Sequence, residues 1–115
     1  MAMTTLELEV DHKADWQVLI VRGEVDVTTT PRVRAQLIAL LSDGKPHLII
    51  DLEGVDFLDS SGLGALVAGL KLAQSRSGDL RIVCEHQRSV RKVLEVTGLE
   101  RVLDRYDTVD EAAAA

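Results

Sequence analysis

The run Leu48-Ile49-Ile50, closed by Asp51, narrows the fold more than any other segment of the chain. Successive side chains of a β-strand point to opposite faces, so three consecutive large aliphatic residues suit a strand buried on both sides. The segment leads through Leu52-Glu53-Gly54-Val55-Asp56-Phe57-Leu58 to the serine pair of Asp59-Ser60-Ser61-Gly62-Leu63-Gly64. Immediately beyond, Leu63, Leu66, Val67 and Leu70 recur at helical spacing. The serines therefore sit at a junction where a buried strand hands over to a helix.

The same alternation extends in both directions. From Thr4, Leu6, Leu8 and Val10 alternate with polar residues, and Trp16 to Val21 forms a second β-rich run, with Lys13-Ala14-Asp15 between them reading as a hairpin turn. Thr30-Pro31 reads as an N-cap followed by proline at the first helical position. Val33, Leu37, Leu40 and Leu41 then share one helical face, and Asp43-Gly44-Lys45-Pro46 is the stop. After Ser75-Arg76-Ser77-Gly78-Asp79 the pattern predicts a strand from Leu80 to Cys84, then an amphipathic helix through Val90, Val93, Leu94 and Thr97 ended by Gly98. A short strand over Val102 and Leu103, and a last helix capped by Thr108 and running toward Ala115, complete an α/β arrangement without internal repeat or linker.

Composition removes several function classes. With 115 residues, 46% of them hydrophobic, residues 1–115 fit one domain with its own core. Trp16, Phe57 and Tyr106 are the only aromatics, so that core is aliphatic and a base-stacking surface is not expected. A net charge of −6 and a pI near 4.9 oppose the counterion release that holds proteins on nucleic acid, and oppose anionic membranes equally. Cys84 is the only cysteine, which leaves no intrachain disulfide and no cysteine-based zinc site. Met1-Ala2-Met3-Thr4-Thr5 carries no basic segment with an apolar run behind it, and no stretch approaches a membrane-spanning length. The expectation is a soluble chain in a reducing cytoplasm. His12, His47 and His86 have no metal-ligand spacing and read as surface residues, so neither a metal nor another cofactor is expected.

At a strand-to-helix junction, unsatisfied backbone N–H groups and the positive end of the helix dipole converge, so the place tolerates an anion. A phosphate on a serine hydroxyl there can accept hydrogen bonds from backbone amides, while Gly62 and Gly64 let backbone or a partner approach without a Cβ in the way. The plainer reading makes Ser60 or Ser61 an N-cap and the glycines a tight turn. A second polar island, Gly23-Glu24-Val25-Asp26, occupies another strand-to-helix junction. If its strand neighbours the one ending at Asp51, then Asp26, Asp56 and Asp59 gather near the serines. A phosphate of about −1.5 to −2 charges would then enter a negative neighbourhood. Glu24 and Asp26 read equally as solvated turn acids.

Taken together, Gly23-Glu24-Val25-Asp26, the long segment from Asp51 to Gly64, and Val96-Thr97-Gly98-Leu99 resemble the STAS anti-sigma-factor antagonists of bacteria, over nearly the whole chain. The resemblance implies a single STAS domain with a mixed sheet of about four to five strands and about four helices. It implies a regulatory protein, not an enzyme, whose unphosphorylated form binds an anti-sigma factor and so frees a sigma factor for transcription, as in stress responses. In that family the anti-sigma factor is itself an ATP-dependent serine kinase, which modifies the first serine after the motif aspartate, here Ser60. A metal-dependent serine phosphatase reverses the step, and ATP and Mg²⁺ belong to the kinase. Asp26 and Asp59 match positions that surround the acceptor and support recognition. The expected switch surround is therefore Glu24, Asp26, Asp56, Asp59, Ser61 and Gly62. The expected partner contacts are Asp26, Asp59, Ser60, Ser61, Gly62 and Leu63. The chain departs from the family at Gln87-Arg88-Ser89, where many relatives open the third helix with a proline, and in its alanine-only tail after Glu111.

Other classes fit fewer residues. The serines lack a Gly-x-Ser-x-Gly elbow and a histidine base, and no Gly-x-x-x-x-Gly-Lys-Ser/Thr loop is present, so hydrolase and nucleotide-hydrolysing readings have no support. A phospho-receiver reading of Asp51 lacks the acidic pair after the first strand. A STAS subunit that scaffolds a transporter or signalling assembly, without a phosphoserine, stays open beside the sigma-pathway reading. Arg88, Arg91 and Lys92 flank the apolar stripe of the third helix and read as a solvated face, with partner contact as the sharper alternative.

Overall fold

The computed structural model describes residues 6–42 and 46–115. The start of the first strand at Thr4 and the helix stop at Asp43-Gly44-Lys45 lie outside the described residues. Strands β1 (Leu6–Lys13) and β2 (Trp16–Val25) form an antiparallel hairpin in which Lys13 pairs with Trp16 and Ala14-Asp15 make the turn, as the sequence predicts. Then come α1 (Thr30–Ser42), β3 (His47–Leu58), α2 (Ser60–Ser75), β4 (Asp79–Val83), α3 (Arg88–Thr97), a 3₁₀ turn (Leu99–Arg101), β5 (Asp104–Tyr106) and α4 (Val109–Ala114). The described strands make one mixed sheet in the order β1-β2-β3-β4-β5, parallel from β2 onward.

Helices cover both faces of the sheet where the aliphatic run demands it. Leu48 and Ile50 face a cluster that holds Leu37 and Leu41 of α1, Leu66 and Leu70 of α2, and Leu94 of α3. Ile49 points the other way, to Trp16, Val18, Val83 and Ala112 under α4, and all three residues of the run are fully buried. Arg81 ties α4 down: its guanidinium lies 4.3 Å from the Trp16 ring centre and donates to the carbonyl of Ala112 at 2.5 Å. That places a cation at the negative end of a helix, where it is favoured. His47, expected at the surface, is half-buried, its ring set edge-on to Trp16 at 5.2 Å.

Two β-bulges shape the strand that carries the serines. Against β2, the register of β3 slips between Ile20 and Arg22 and again between Gly23 and Glu24, each time with one extra residue in β3. An extra residue reverses the inward-outward phase of everything after it. The inward positions therefore run Leu48, Ile50, Leu52, then Val55, then Leu58, all packed in the main core. Simple alternation would have turned Val55 outward.

Three details differ from the sequence expectation. The helix at Thr30-Pro31 starts one residue earlier, at Thr30, whose hydroxyl reaches another element instead of capping its own. The fourth strand ends at Val83, leaving Cys84 just beyond it and fully buried. The last strand is Asp104–Tyr106, not Val102-Leu103: Leu103 packs into the core while Arg81, Ile82 and Val83 pair with Asp104, Arg105 and Tyr106. The third and last helices follow expectation, with Gly98 in the left-handed conformation at φ 77° ending α3, and Thr108 accepting from the Glu111 amide to cap α4.

Candidate functional site

β2 and β3 are parallel neighbours that end together: Val25 pairs with Leu58, and the Asp59 amide donates to the Val25 carbonyl at 3.1 Å. The next residue of each strand is an aspartate, so Asp26 and Asp59 stand side by side on one rim. Each is built into its own turn. One oxygen of Asp26 accepts from the Thr28 amide at 2.9 Å, the Thr28 hydroxyl at 2.7 Å and the Thr29 amide at 3.1 Å. One oxygen of Asp59 accepts from the Ser61 amide at 2.9 Å, the Ser61 hydroxyl at 2.5 Å and the Gly62 amide at 3.2 Å.

Asp59 is thus the N-cap of α2, a role the sequence reading gave to Ser60 or Ser61. The correction matters electrostatically. Amides at the helix start that were expected to cradle a phosphate already serve the Asp59 carboxylate. Among the described residues the Ser60 amide is the one N–H of the first turn of α2 left without a partner, and two carboxylates share the rim with it. Both acids are held ionised. The Thr28 hydroxyl and the Thr29 and Thr28 amides keep Asp26 below the ordinary carboxylate range. The Ser61 hydroxyl, with the Gly62 and Ser61 amides, does the same for Asp59 against partial burial and the neighbouring Asp26 charge.

The two serines occupy different environments. Ser61 is half-buried and gives its single hydroxyl proton to Asp59, so in the 3.1 Å contact between the Ser61 and Thr30 hydroxyls Thr30 is the donor. Thr30, Ser61 and Asp59 form one chain that pins the start of α1 to the start of α2. Ser60, the first residue of α2, is exposed, and among the described residues its hydroxyl has no hydrogen-bond partner. It is the free hydroxyl of the rim.

Of the other expected site residues, Glu24 and Asp56 lie exposed on the last turns of β2 and β3, Asp56 at the second bulge, and their carboxylates make no hydrogen bond or ion pair among the described residues. Gly62 and Leu63 are buried, so they pack the helix instead of presenting a surface to a partner. A Cβ on Gly62 would collide with Leu58 Cδ1 and stand 2.7 Å from Val25 Cγ1, whereas one on Gly64 would meet nothing within 4 Å. Sequence reasoning missed Thr28 and Thr29, although an aspartate two and three residues before threonines is itself a signal for this kind of turn. It also missed the exposed apolar residues beside the rim, Val27 and Phe57. No group of histidine, cysteine and carboxylate ligands suited to a metal occurs among the described residues, and no helix among them is long and apolar enough to cross a membrane.

At Gln87-Arg88-Ser89, Gln87 precedes α3 without a side-chain cap. Its side chain donates instead to the Glu53 carbonyl at 2.7 Å, and the His86 amide donates to the Glu53 carboxylate at 3.0 Å. Glu53 of β3 thereby anchors the entry to α3.

Known proteins are similar to this chain in sequence and architecture. The STAS domain family matches residues 7–112. The chain is 29% identical over 103 residues to an anti-sigma F factor antagonist of Paenibacillus polymyxa, covering 89% of this chain and 87% of that one. It is 34% identical over 84 residues to an anti-sigma-B factor antagonist of Bacillus subtilis, covering 73% and 75%. The crystal structure of an anti-sigma factor antagonist from Mycobacterium paratuberculosis superimposes with a TM-score of 0.88 at 30% identity, covering 98% of this chain and 95% of that one. The chain belongs to the STAS domain family, and these relatives within it are named anti-sigma factor antagonists.

Proposed function

We propose that this chain is a cytoplasmic anti-sigma-factor antagonist acting as one STAS module. Its unphosphorylated form binds an anti-sigma factor and releases the sigma factor that factor holds, and phosphorylation of Ser60 switches the interaction off. The chain acts by binding. The kinase chemistry, with its ATP and Mg²⁺, belongs to the anti-sigma factor, and a metal-dependent serine phosphatase resets the switch. The observation that carries the reading is the contrast between neighbouring serines: Ser60 is exposed with a free hydroxyl, while Ser61 is locked between Asp59 and Thr30. A phosphoryl group on Ser60 adds about −1.5 to −2 charges next to Asp59 and Asp26, both ionised at neutral pH. With the Ser61 and Gly62 amides already taken by Asp59, the fold offsets little of that charge, which falls on whatever partner covers the rim.

The test is a pull-down from the source cell with wild type and Ser60→Glu as baits, read by mass spectrometry together with the phosphorylation state of Ser60. A kinase-like anti-sigma factor recovered by the wild type and lost from Ser60→Glu is the expected result. Transporter subunits, or the same partners on both baits, would contradict it and favour a scaffolding STAS subunit.

A further inference from the structure

Resting on the reading just proposed, we infer that the groove between α1 and α2 seats an aliphatic segment of the anti-sigma factor, with a carboxylate of that segment on Arg34. The two helices run side by side from N-termini joined by the Thr30–Ser61 hydrogen bond. Thr30, Arg34 and Ile38 follow one another at four-residue spacing along α1, about 6 Å per step. Ser61, Ala65, Ala68 and Leu72 form the facing row on α2. Small residues on that row leave space between the helices. An open part of about 430 Å³ lies against Val27, Pro31, Ala35 and Ser61, and a narrower part of about 160 Å³ continues over Ala65, Ala68 and Gly69. Arg34 and Ile38 line both parts, so the groove is continuous and begins at Ser61.

The walls indicate what fills it. Val27 is 71% and Ile38 49% exposed, an apolar lining left to solvent beside the switch. Arg34 is exposed and, among the described residues, has no acid or carbonyl to hold, in a chain whose net charge is −6. A second copy packed groove to groove would bring two Arg34 guanidiniums together, which like charges oppose. An aliphatic stripe bearing a carboxylate satisfies both the lining and the cation. Its position also explains how a charge on Ser60 reaches beyond the rim: the modified residue sits next to Ser61 at the mouth of the groove.

Calorimetry with the purified anti-sigma factor recovered by the wild-type bait tests this. Ala68→Trp fills the groove without touching the rim. Arg34→Glu reverses the charge at an exposed position whose side chain makes no hydrogen bond among the described residues, so it separates contact from folding. Both variants are expected to melt like the wild type and to bind about tenfold more weakly or worse. Affinities within about twofold of wild type for both variants, alongside lost binding by Ser60→Glu, would overturn the groove and leave the switch standing. A wild type that binds no anti-sigma factor would remove the reading beneath it. A wild type that sediments as a dimer, made monomeric by Ile38→Asp, would assign the groove to a second copy and overturn the inference.

Discussion

Asp59 does two jobs with one carboxylate oxygen. It caps α2, and it fixes the Ser61 hydroxyl so that Ser60 alone stays available. Because its hydrogen bonds favour the charged form, its pKa in the folded chain is depressed. The stabilisation from those bonds is complete above the ordinary aspartate value of about 3.9 and is lost as pH falls through the lower folded-state value. Asn caps a helix about as well as Asp but carries no titrating charge. Denaturant midpoints of the wild type should therefore fall more steeply with decreasing pH below about 4 than those of Asp59→Asn, in which Asp26 keeps its own hydrogen bonds. Parallel pH profiles would show that Asp59 contributes nothing through its charge. Little of this was legible beforehand. The serines, both aspartates and the glycines stood out in the chain, but which serine is free depends on the Asp59 carboxylate turning onto the Ser61 hydroxyl, with Thr30 as its second partner.

Among the elements, β3 and α2 carry the site, and their joint depends on close packing. The buried run at Leu48-Ile49-Ile50 and the helical spacing after the serines identified both, because apolar periodicity reports directly on which faces meet a core. The two bulges were not legible, since an extra residue in a ladder leaves no mark on a single strand's pattern until its neighbour is known. The last strand was misplaced for a related reason: Val102 and Leu103 attract a strand assignment by their apolarity, yet backbone pairing with β4 selects the polar residues after them. Gly62 and Gly64 looked equivalent in sequence and are separated by the same packing. Gly62→Ala forces a Cβ into Val25 and Leu58 and should destabilise by about 1–3 kcal/mol in chemical denaturation. Gly64→Ala, facing open space within the helix, should instead stabilise by about 0.5–1 kcal/mol. Equal effects would mean that α2 does not sit on the ends of β2 and β3 as described.

At the scale of the whole molecule, parallel pairing of β2 with β3 turns two distant motifs into one rim. Thirty-odd residues separate Asp26 from Asp59, and only the adjacency of their strands brings both acids to the rim on which Ser60 is exposed. The α/β class and helix-covered sheet were readable from the alternation of patterns, and the resemblance to STAS proteins anticipated a shared rim. That Asp59 occupies the Ser61 and Gly62 amides was not anticipated, and of the two effects read from the sequence, an amide cradle and a negative neighbourhood, it favours repulsion. In the function proposed above, this repulsion is the switch. It is tested most directly by titrating one purified anti-sigma factor with the unmodified chain and with the same chain phosphorylated on Ser60, by calorimetry at physiological ionic strength. Binding by the unmodified chain, and none by the phosphorylated one at the same concentrations, is predicted. Equal affinity of the two forms would contradict the claim.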